Sequence, residues 1–349
     1  MELAKKDIRA LSKEALQDFF KTQGHQPYRA AQVYQWLWSK GVQDFDKMTN
    51  LSKETRLLLD THFTINHIAV DQQQRSKDGT FKNAIKLHDN RIVESVLIPA
   101  KDRTTACVSS QVGCSLDCKF CATSQLDRMR NLNVDEIFDQ VVAIDQQSKT
   151  YFNIPLSNIV FMGMGEPLMN YNNVLGAIEK ITSPEGLGMA SKRITLSTSG
   201  IPKLIRKMAD DRVKFNLAVS LHSAIQETRE KIMPFSKKFP VEDLLSSLEY
   251  WYEATQKMVT IEFIVWKGIN DNLDEVRALI NFCRKFQSKV NLIEYNPIGD
   301  DTFEQASKEA MSMYQKKLTS ARITNTIRRS RGKDIDAACG QLVNKAHKN

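Results

Sequence analysis

The sequence predicts an α/β protein, a barrel or partial barrel of about six βα units that follows a small helical module. From about residue 100, short β-rich runs alternate with helical patterns, and such alternation is typical of parallel βα units. Before residue 60, apolar residues recur at helical spacing instead. A doubly wound open sheet is the main alternative. We therefore predict an accessory domain at residues 1–95, with linking strands, and a barrel at residues 96–349.

The accessory region begins with three candidate helices. Ser12 is a suitable N-cap for the first, on which Leu16 and Phe20 share a face. Residues 66–99 change to short alternating runs such as Arg91–Ile98, which are typical of strands. The small module therefore leads into a β-rich segment before the barrel begins.

The barrel region contains seven candidate strands. They are Thr105–Ser109, Asn158–Met162, Arg193–Ser197, Phe215–Leu221, Val259–Val265, Val290–Glu294 and Ile323–Arg328. The clearest helix between them starts at Asn133, with Glu136 completing a capping box and Ile137, Val141 and Ile144 on the inner face.

Unusual residue clusters follow the carboxyl ends of these candidate strands. They are Cys114–Cys121, Gly163–Pro167, Ser197–Gly200, Ser220–His222 and Tyr295–Pro297. In parallel βα folds the carboxyl ends of the strands form the rim where active sites are assembled. The clusters therefore predict a functional site at that rim, although polar rim residues are individually weak signals.

Composition indicates a globular chain of 349 residues with 42% apolar and 26% charged residues. No apolar run is long enough for a membrane helix, and the N-terminus lacks a secretory signal, so we expect a cytoplasmic protein. The net charge is +8, and the segment between Lys316 and Lys333 has seven basic residues and no acid. This segment predicts either a polyanionic partner or a solvated basic face.

Three of the six cysteines fall within eight residues, as Cys114-x-x-x-Cys118-x-x-Cys121. A disulfide would need an oxidising compartment, which nothing in the sequence indicates. A structural zinc site needs four ligands, whereas this group supplies three. Three thiolates can instead hold a [4Fe–4S] cluster with one iron left open, and we favour this interpretation.

The cysteine spacing resembles that of the radical S-adenosylmethionine (SAM) superfamily. The resemblance implies a partial (βα)₆ barrel of the radical SAM type, in which the open iron chelates SAM and an electron cleaves it to a 5′-deoxyadenosyl radical. Gly163-x-Gly-Glu-Pro167 resembles the SAM-binding element of that superfamily, and its glycines would let the backbone approach a ligand closely. The SAM contacts that the resemblance implies are Gly165, Glu166, Ser197, Ser220, Leu221, His222 and Asn296.

Three longer motifs resemble the RlmN/Cfr family of RNA methyltransferases within that superfamily. They are Cys107–Cys114, Phe161–Pro167 and Asp334–Gln341, and the resemblance covers nearly the whole chain. It implies methylation of adenine 2503 in 23S ribosomal RNA and of adenine 37 in some transfer RNAs. The family methylates carbon 2 or carbon 8, and Pro167 favours carbon 2.

The resemblance also assigns roles to two further cysteines and one acid. One SAM would load a methyl group onto Cys339, and the radical from a second SAM would activate that methyl for addition to adenine. Glu94 would take the carbon-2 proton, and Cys107 would release the product by forming a disulfide with Cys339. From the residue pattern alone, Cys107 and Cys339 could be packing thiols, and Glu94 a solvent-facing strand residue.

The partners that the resemblance implies are 23S ribosomal RNA, transfer RNA and an electron donor such as a flavodoxin or ferredoxin, with a monomer as the default. Arg328, Arg329, Arg331 and Lys333 would contact phosphates near Cys339. The accessory module would help to hold RNA, although its aromatic residues at helical spacing are more typical of its own core. A zinc-stabilised, non-catalytic RNA-binding protein is the alternative from another class.

Overall fold

The computed structural model describes residues 5–299 and 302–343, and its helices and strands are as follows. The helices are α1 (Lys13–Thr22), α2 (Arg29–Trp38), α3 (Lys53–His62), α4 (Val134–Phe152), α5 (Tyr171–Thr182), α6 (Pro202–Asp210), α7 (Gln226–Ile232), α8 (Val241–Thr255), α9 (Leu273–Cys283) and α10 (Lys308–Ser320). The strands are β1 (Lys6–Asp7), β2 (Phe63–Thr64), β3 (Ala69–Arg75), β4 (Phe81–Lys86), β5 (Ile92–Pro99), β6 (Thr104–Cys107), β7 (Gln111–Val112), β8 (Arg130–Asn131), β9 (Asn158–Phe161), β10 (Ile194–Thr198), β11 (Asn216–Ser220), β12 (Val259–Ile264), β13 (Ser288–Ile293) and β14 (Thr324–Arg328).

Ten of these strands form one sheet in the order β14-β13-β12-β11-β10-β9-β6-β5-β4-β3. The seven strands from β6 to β14 in this sheet are parallel, whereas β3 to β6 pair antiparallel. All seven predicted strands are confirmed. Because the order follows the chain without a reversal, the doubly wound alternative is wrong and the predicted partial barrel is confirmed.

Side-chain hydrogen bonds, rather than a strand ladder, connect the two ends of the described sheet. The turn between β3 and β4 meets the segment after β14, where Asp78 accepts from the backbone N–H of Gly332 at 3.0 Å. Asp334 accepts from the Ser76 hydroxyl at 2.5 Å and from the Lys77 backbone N–H at 3.1 Å. The barrel is therefore closed at this seam by a few polar contacts.

The N-terminal helices pack against the barrel through α4. Ser12 caps α1 by accepting from the backbone N–H of Ala15, as predicted. Arg9 is buried and donates to Asp139 at 2.7 Å, while Asp135 lies 3.3 Å from the same guanidinium. A buried charge needs such partners, so this group fixes the module on α4. The boundary at residue 95 stays a prediction, although β3 to β5 extend the barrel sheet.

Helix α4 covers the outer face of the antiparallel strands. Its predicted capping box is present, with Glu136 accepting from the Asn133 backbone N–H at 2.9 Å. Asn83 of β4 and Gln147 of α4 exchange two hydrogen bonds between their side-chain amides. The opposite face of these strands consequently faces the barrel interior. No helix of the described ranges has both the length and the apolar character to cross a membrane.

Candidate active site

A cavity of about 150 Å³ opens at the carboxyl ends of the parallel strands. It brings together nine of the residues singled out in the sequence. They are Cys114, Cys118, Cys121, Gly165, Glu166, Ser197, Ser220, His222 and Cys339. These residues come from four strand ends and from the C-terminal loop, so the structure brings the predicted rim residues together in one cavity.

The cysteine loop is fixed to its neighbours by backbone contacts. Lys119 donates to the carbonyl of Ile232 at 3.0 Å, and Asp117 accepts from the backbone N–H of Phe235 at 2.8 Å. Ala122 donates to the carbonyl of Gly340 at 2.7 Å, directly after Cys339. The segment carrying the three cysteines therefore shares a hydrogen bond with the segment carrying Cys339.

The three thiols are buried or half-buried, and burial raises the pKa of each. The pKa of Cys114 rises to about 12, and the neighbouring cysteines add to the upward shift at Cys118. In the described residues, no three His, Cys, Asp or Glu side chains are gathered into a site for a metal ion. Soft thiols on one loop beside an open cavity fit the ligand set of an iron–sulfur cluster. Binding iron would displace the thiol protons, in spite of the raised pKa values.

Glu166 ties the ends of two strands together. One carboxylate oxygen accepts from the backbone N–H of Leu168 at 3.0 Å and the other from Ser199 at 2.8 Å. The side chains of Thr198 and Ser199 also form hydrogen bonds with this carboxylate, which lines the cavity. Burial raises its pKa.

The glycines of this motif line the cavity and also lie close to a neighbouring segment of the chain. A Cβ on Gly165, where φ is +92°, would lie 2.4 Å from the Gln111 side chain. A Cβ on Gly163 would lie 2.7 Å from the Val108 backbone. Both glycines lie against the segment that follows β6 and also line the cavity, so a close approach of their backbone to a ligand stays a prediction.

His222 lines the cavity, and its ring is held by the protein. Its Nδ1 accepts from the backbone N–H of Ile264 at 3.1 Å, so the neutral ring carries its proton on Nε2. Burial lowers its pKa to about 3. The ring also packs edge-on against Phe120 of the cysteine loop, with centroids 4.8 Å apart. Leu221 does not line the cavity, because its side chain is fully buried in the hydrophobic core.

Asn296 also lies outside the cavity lining and supports the C-terminal loop. Its side-chain amide donates to the carbonyl of Cys339 at 3.3 Å. Gln341 donates to the carbonyl of Pro297 at 2.9 Å and accepts from the backbone N–H of Ala338. The loop around Cys339 is thereby fixed to the segment after β13.

Cys107 lies behind the main cavity, in a smaller cavity of about 80 Å³ that Cys339 and Arg328 also line. Cys339 and Arg328 line the main cavity too, so they form part of the wall between the two. Burial raises the pKa of Cys107 to about 12, and the Arg328 guanidinium opposes that rise. All six cysteines are free thiols in the structure.

Glu94 is 3% exposed, so the alternative of a solvent-facing strand residue is wrong. It lines a third cavity of about 300 Å³ between the antiparallel strands and the C-terminal loop. Lys82 lies 3.5 Å from one carboxylate oxygen, and the backbone N–H of Val343 donates to the other at 2.8 Å. The structure places Glu94 beside the Cys339 loop but not in the main cavity.

Three further residues of the site were not assigned to it from the sequence. Glu262 of β12 lines the main cavity and accepts from the Asn291 amide at 2.9 Å. An acid inside an apolar strand was the sequence signal available for Glu262.

Arg229 is fully buried and donates to the carbonyls of Ser199 and Ser220, at 2.6 and 3.1 Å. Arg328 was expected to contact phosphate, but its guanidinium lies 3.9 Å from Glu262.

Two family models match separate parts of the chain. Residues 6–65 match the ribosomal RNA large subunit methyltransferase N-terminal domain. Residues 108–283, half of the chain, match the radical SAM superfamily. The matches correspond to the N-terminal helices and to the greater part of the parallel barrel.

Curated relatives and a solved structure resemble the chain over nearly its full length. It is 67% identical to the probable dual-specificity RNA methyltransferase RlmN of Christiangramia forsetii, covering 98% of this chain and 97% of that protein. It is 39% identical to the dual-specificity RNA methyltransferase RlmN of Geotalea uraniireducens, covering 99% of each. A radical SAM methyltransferase from Sphaerobacter thermophilus superimposes with a TM-score of 0.90 at 34% identity, covering 97% of this chain and 99% of that one.

Proposed function

The chain belongs to the RlmN family of radical SAM RNA methyltransferases, and from this premise we propose that it methylates carbon 2 of adenine in RNA through Cys339. The substrates are an adenine of 23S ribosomal RNA and one of some transfer RNAs. The observation that carries the proposal is the position of Cys339, on the wall between the cysteine-lined cavity and the cavity of Cys107. A generic radical SAM barrel needs neither Cys339 nor Cys107.

Carbon 2 of adenine explains why radical chemistry is needed. It lies between two ring nitrogens and is electron-poor, so it does not attack the electrophilic methyl group of SAM. A bound [4Fe–4S] cluster and two SAM molecules per turnover would supply a methyl group, a hydrogen-abstracting radical and an acceptor for the adduct's electron. Cys114, Cys118 and Cys121 would hold the cluster, and Glu166 would accept from the SAM ammonium group.

The chain's own residues then handle the carbon and the protons. The Cys339 sulfur loses its proton and takes the methyl group, and the activated methylene on that sulfur bonds to carbon 2. Glu94 accepts the carbon-2 proton. The Cys107 thiolate then attacks the Cys339 sulfur, forming the disulfide and breaking the sulfur–methylene bond, and the released carbon takes a proton to become the methyl group.

Arg328 supports the last step. Cys107 must lose its proton to attack, and its burial opposes that loss. The Arg328 guanidinium beside both cysteines favours the thiolate, and its own pKa is raised chiefly by Cys339. An external reductant would return the disulfide to two thiols for the next turnover.

RNA would approach along the basic segment that leads to Cys339. Arg329, Arg331 and Lys333 are exposed there and can contact phosphates without reading the sequence of bases. The adenine must leave its stack to reach the buried cysteines. A flavodoxin or ferredoxin would supply electrons, and the protein would act as a monomer.

Nucleoside mass spectrometry tests the proposal. The reconstituted protein is incubated anaerobically with RNA, SAM and a reductant, beside Cys339→Ala and a Cys283→Ala control outside the site. We expect 2-methyladenosine from the wild type and the control but not from Cys339→Ala. The appearance of 8-methyladenosine would overturn the carbon-2 assignment, and the absence of methylated adenine with an intact cluster would overturn the substrate.

A further inference from the structure

The strand register places a lysine, an acid and a cysteine on the inner face of the sheet. Lys82 of β4 pairs with Val96 of β5, and Val96 pairs with Cys107 of β6. Glu94 lies two residues before Val96 and opposite Ala84, so its side chain shares that face. Lys82 and Glu94 are diagonal neighbours, and both belong to the face on which Cys107 lies.

Lys82 is only 7% exposed, which is unusual for a lysine. Its ammonium lies 3.5 Å from a carboxylate oxygen of Glu94 and 3.4 Å from the carbonyl oxygen of Asp336. Asp336 is three residues before Cys339. The same ammonium therefore contacts the carboxylate proposed as a base and the loop that carries the methyl-bearing sulfur.

The carboxylate of Glu94 is restrained at both oxygens. Lys82 lies at one oxygen, and the backbone N–H of Val343 donates to the other at 2.8 Å. Among the described residues that line this cavity, Lys82 is the one cation, and the other charged residues are Glu94, Asp334 and Asp336. Without Lys82, the Glu94 carboxylate would lose its contact at one oxygen and keep the backbone donor of Val343 at the other.

We propose that Lys82 is a positioning residue that aims the Glu94 carboxylate at the carbon-2 proton of the adenine joined to Cys339. The inference rests on the proposed function, because Glu94 is the base only in that reaction. A base must lie within hydrogen-bond reach of the proton that it removes. Lys82 sets that distance by binding the base and the Cys339 loop together.

The loop itself does not depend on Lys82 alone. Asp78 accepts from Gly332, and Asp334 accepts from Ser76 and Lys77, whether or not Lys82 is present. Loss of Lys82 should therefore disturb the position of Glu94 more than that of Cys339. This difference separates a positioning role from a purely structural one.

The test compares the two halves of the reaction in three variants. Lys82→Met removes the charge, Lys82→Arg keeps it, and Lys86→Met changes an exposed lysine on the same face of the same strand. Intact-protein mass spectrometry measures methyl loading of Cys339, gel analysis measures the covalent RNA adduct, and nucleoside mass spectrometry measures 2-methyladenosine. Iron content and melting temperature report on folding.

For Lys82→Met we expect methyl loading within about twofold of wild type, accumulation of the RNA adduct, and release of 2-methyladenosine lowered about 100-fold, the scale of general-base catalysis. Lys82→Arg should recover at least about tenfold of that loss, and Lys86→Met should match wild type. The inference is wrong if Lys82→Met releases product normally, if it loses methyl loading as severely as product, or if Lys82→Arg fails equally. Failure of the wild type to methylate adenine would instead overturn the proposed function itself.

Discussion

The carboxylate of Asp78 accepts a hydrogen bond of 3.0 Å from the backbone N–H of Gly332, 254 residues further along the chain. The contact joins the turn before β4 to the segment that leads into the Cys339 loop. Gly332 has φ +65°, and a Cβ there would lie 2.7 Å from the Ala337 Cβ and 3.0 Å from the Thr80 side chain. The loop is therefore bound to the turn at a position where there is no room for a side chain.

Gly332→Ala should therefore slow methyl loading of Cys339. The left-handed backbone costs an alanine about 1 kcal/mol, and the clash with Ala337 would displace the loop further. Gly268→Ala is the matched control, because Gly268 has φ +69° and nothing within 4 Å of its Cβ position. We expect the control to lose stability without losing methyl loading, and equal loading in both variants would contradict the prediction.

Replacing one cysteine of the loop should remove the cluster. Cys118→Ala leaves two thiols on the cysteine loop, too few to hold the iron atoms. Iron and acid-labile sulfide analysis after anaerobic reconstitution should show loss of most of both. Cys283→Ala, a buried cysteine of α9 outside the cavity, should retain both, and an unchanged iron content in Cys118→Ala would argue against this ligand set.

The reactivity of Cys107 should depend steeply on pH. With its pKa raised to about 12, the thiolate fraction grows about tenfold per pH unit from 7 to 10, whereas an ordinary thiol levels off above about 8.5. Iodoacetamide labelling, followed by peptide mass spectrometry, measures this rate. Arg328→Met should slow it at each pH because the nearby positive charge is lost, and exposed Arg329→Met should not. A plateau near pH 9 would contradict the expectation.

Loss of the buried arginine should loosen the N-terminal module. Arg9→Met leaves Asp135 and Asp139 buried without their cation, and breaking such a group costs about 3–5 kcal/mol. Burial already raises the pKa of Asp135 to about 6. Once Arg9 is gone, the charged carboxylate of Asp135 is therefore destabilised further relative to its protonated form. Urea unfolding measures the effect, with the exposed Lys21→Met, which pairs with Asp18, as a control that should change by less than about 1 kcal/mol.

The seven barrel strands could be predicted from the sequence because they are short β-rich runs that alternate with helical patterns. Their order could not be derived from those runs alone, since a doubly wound sheet uses the same alternation. The rim residues were also predictable, because the carboxyl ends of parallel strands share one edge. Cys114, Glu166 and Cys339 meet there as expected.

What the sequence could not supply was the register between neighbouring strands and the position of the C-terminal loop over them. The side chain of Glu94 is buried because that loop covers its face of the sheet, where the backbone N–H of Val343 donates to the carboxylate. Lys82 carried no signal of its own, since its role depends on a diagonal neighbour in the next strand. The close packing of Gly165 against Gln111 also carried no sequence signal, because it depends on how two loops meet.

The seam between the β3–β4 turn and the segment after β14 also bears on the order in which the molecule is built. Neighbouring strands of the sheet follow one another along the chain, so most pairings form between segments of modest sequence separation. The contacts of Ser76 and Asp78 with Asp334 and Gly332 span more than 250 residues and carry the largest loop-closure cost. They are expected to form last, so a growing chain would present the three cysteines proposed to bind the cluster before Cys339, the proposed methyl carrier, is in place.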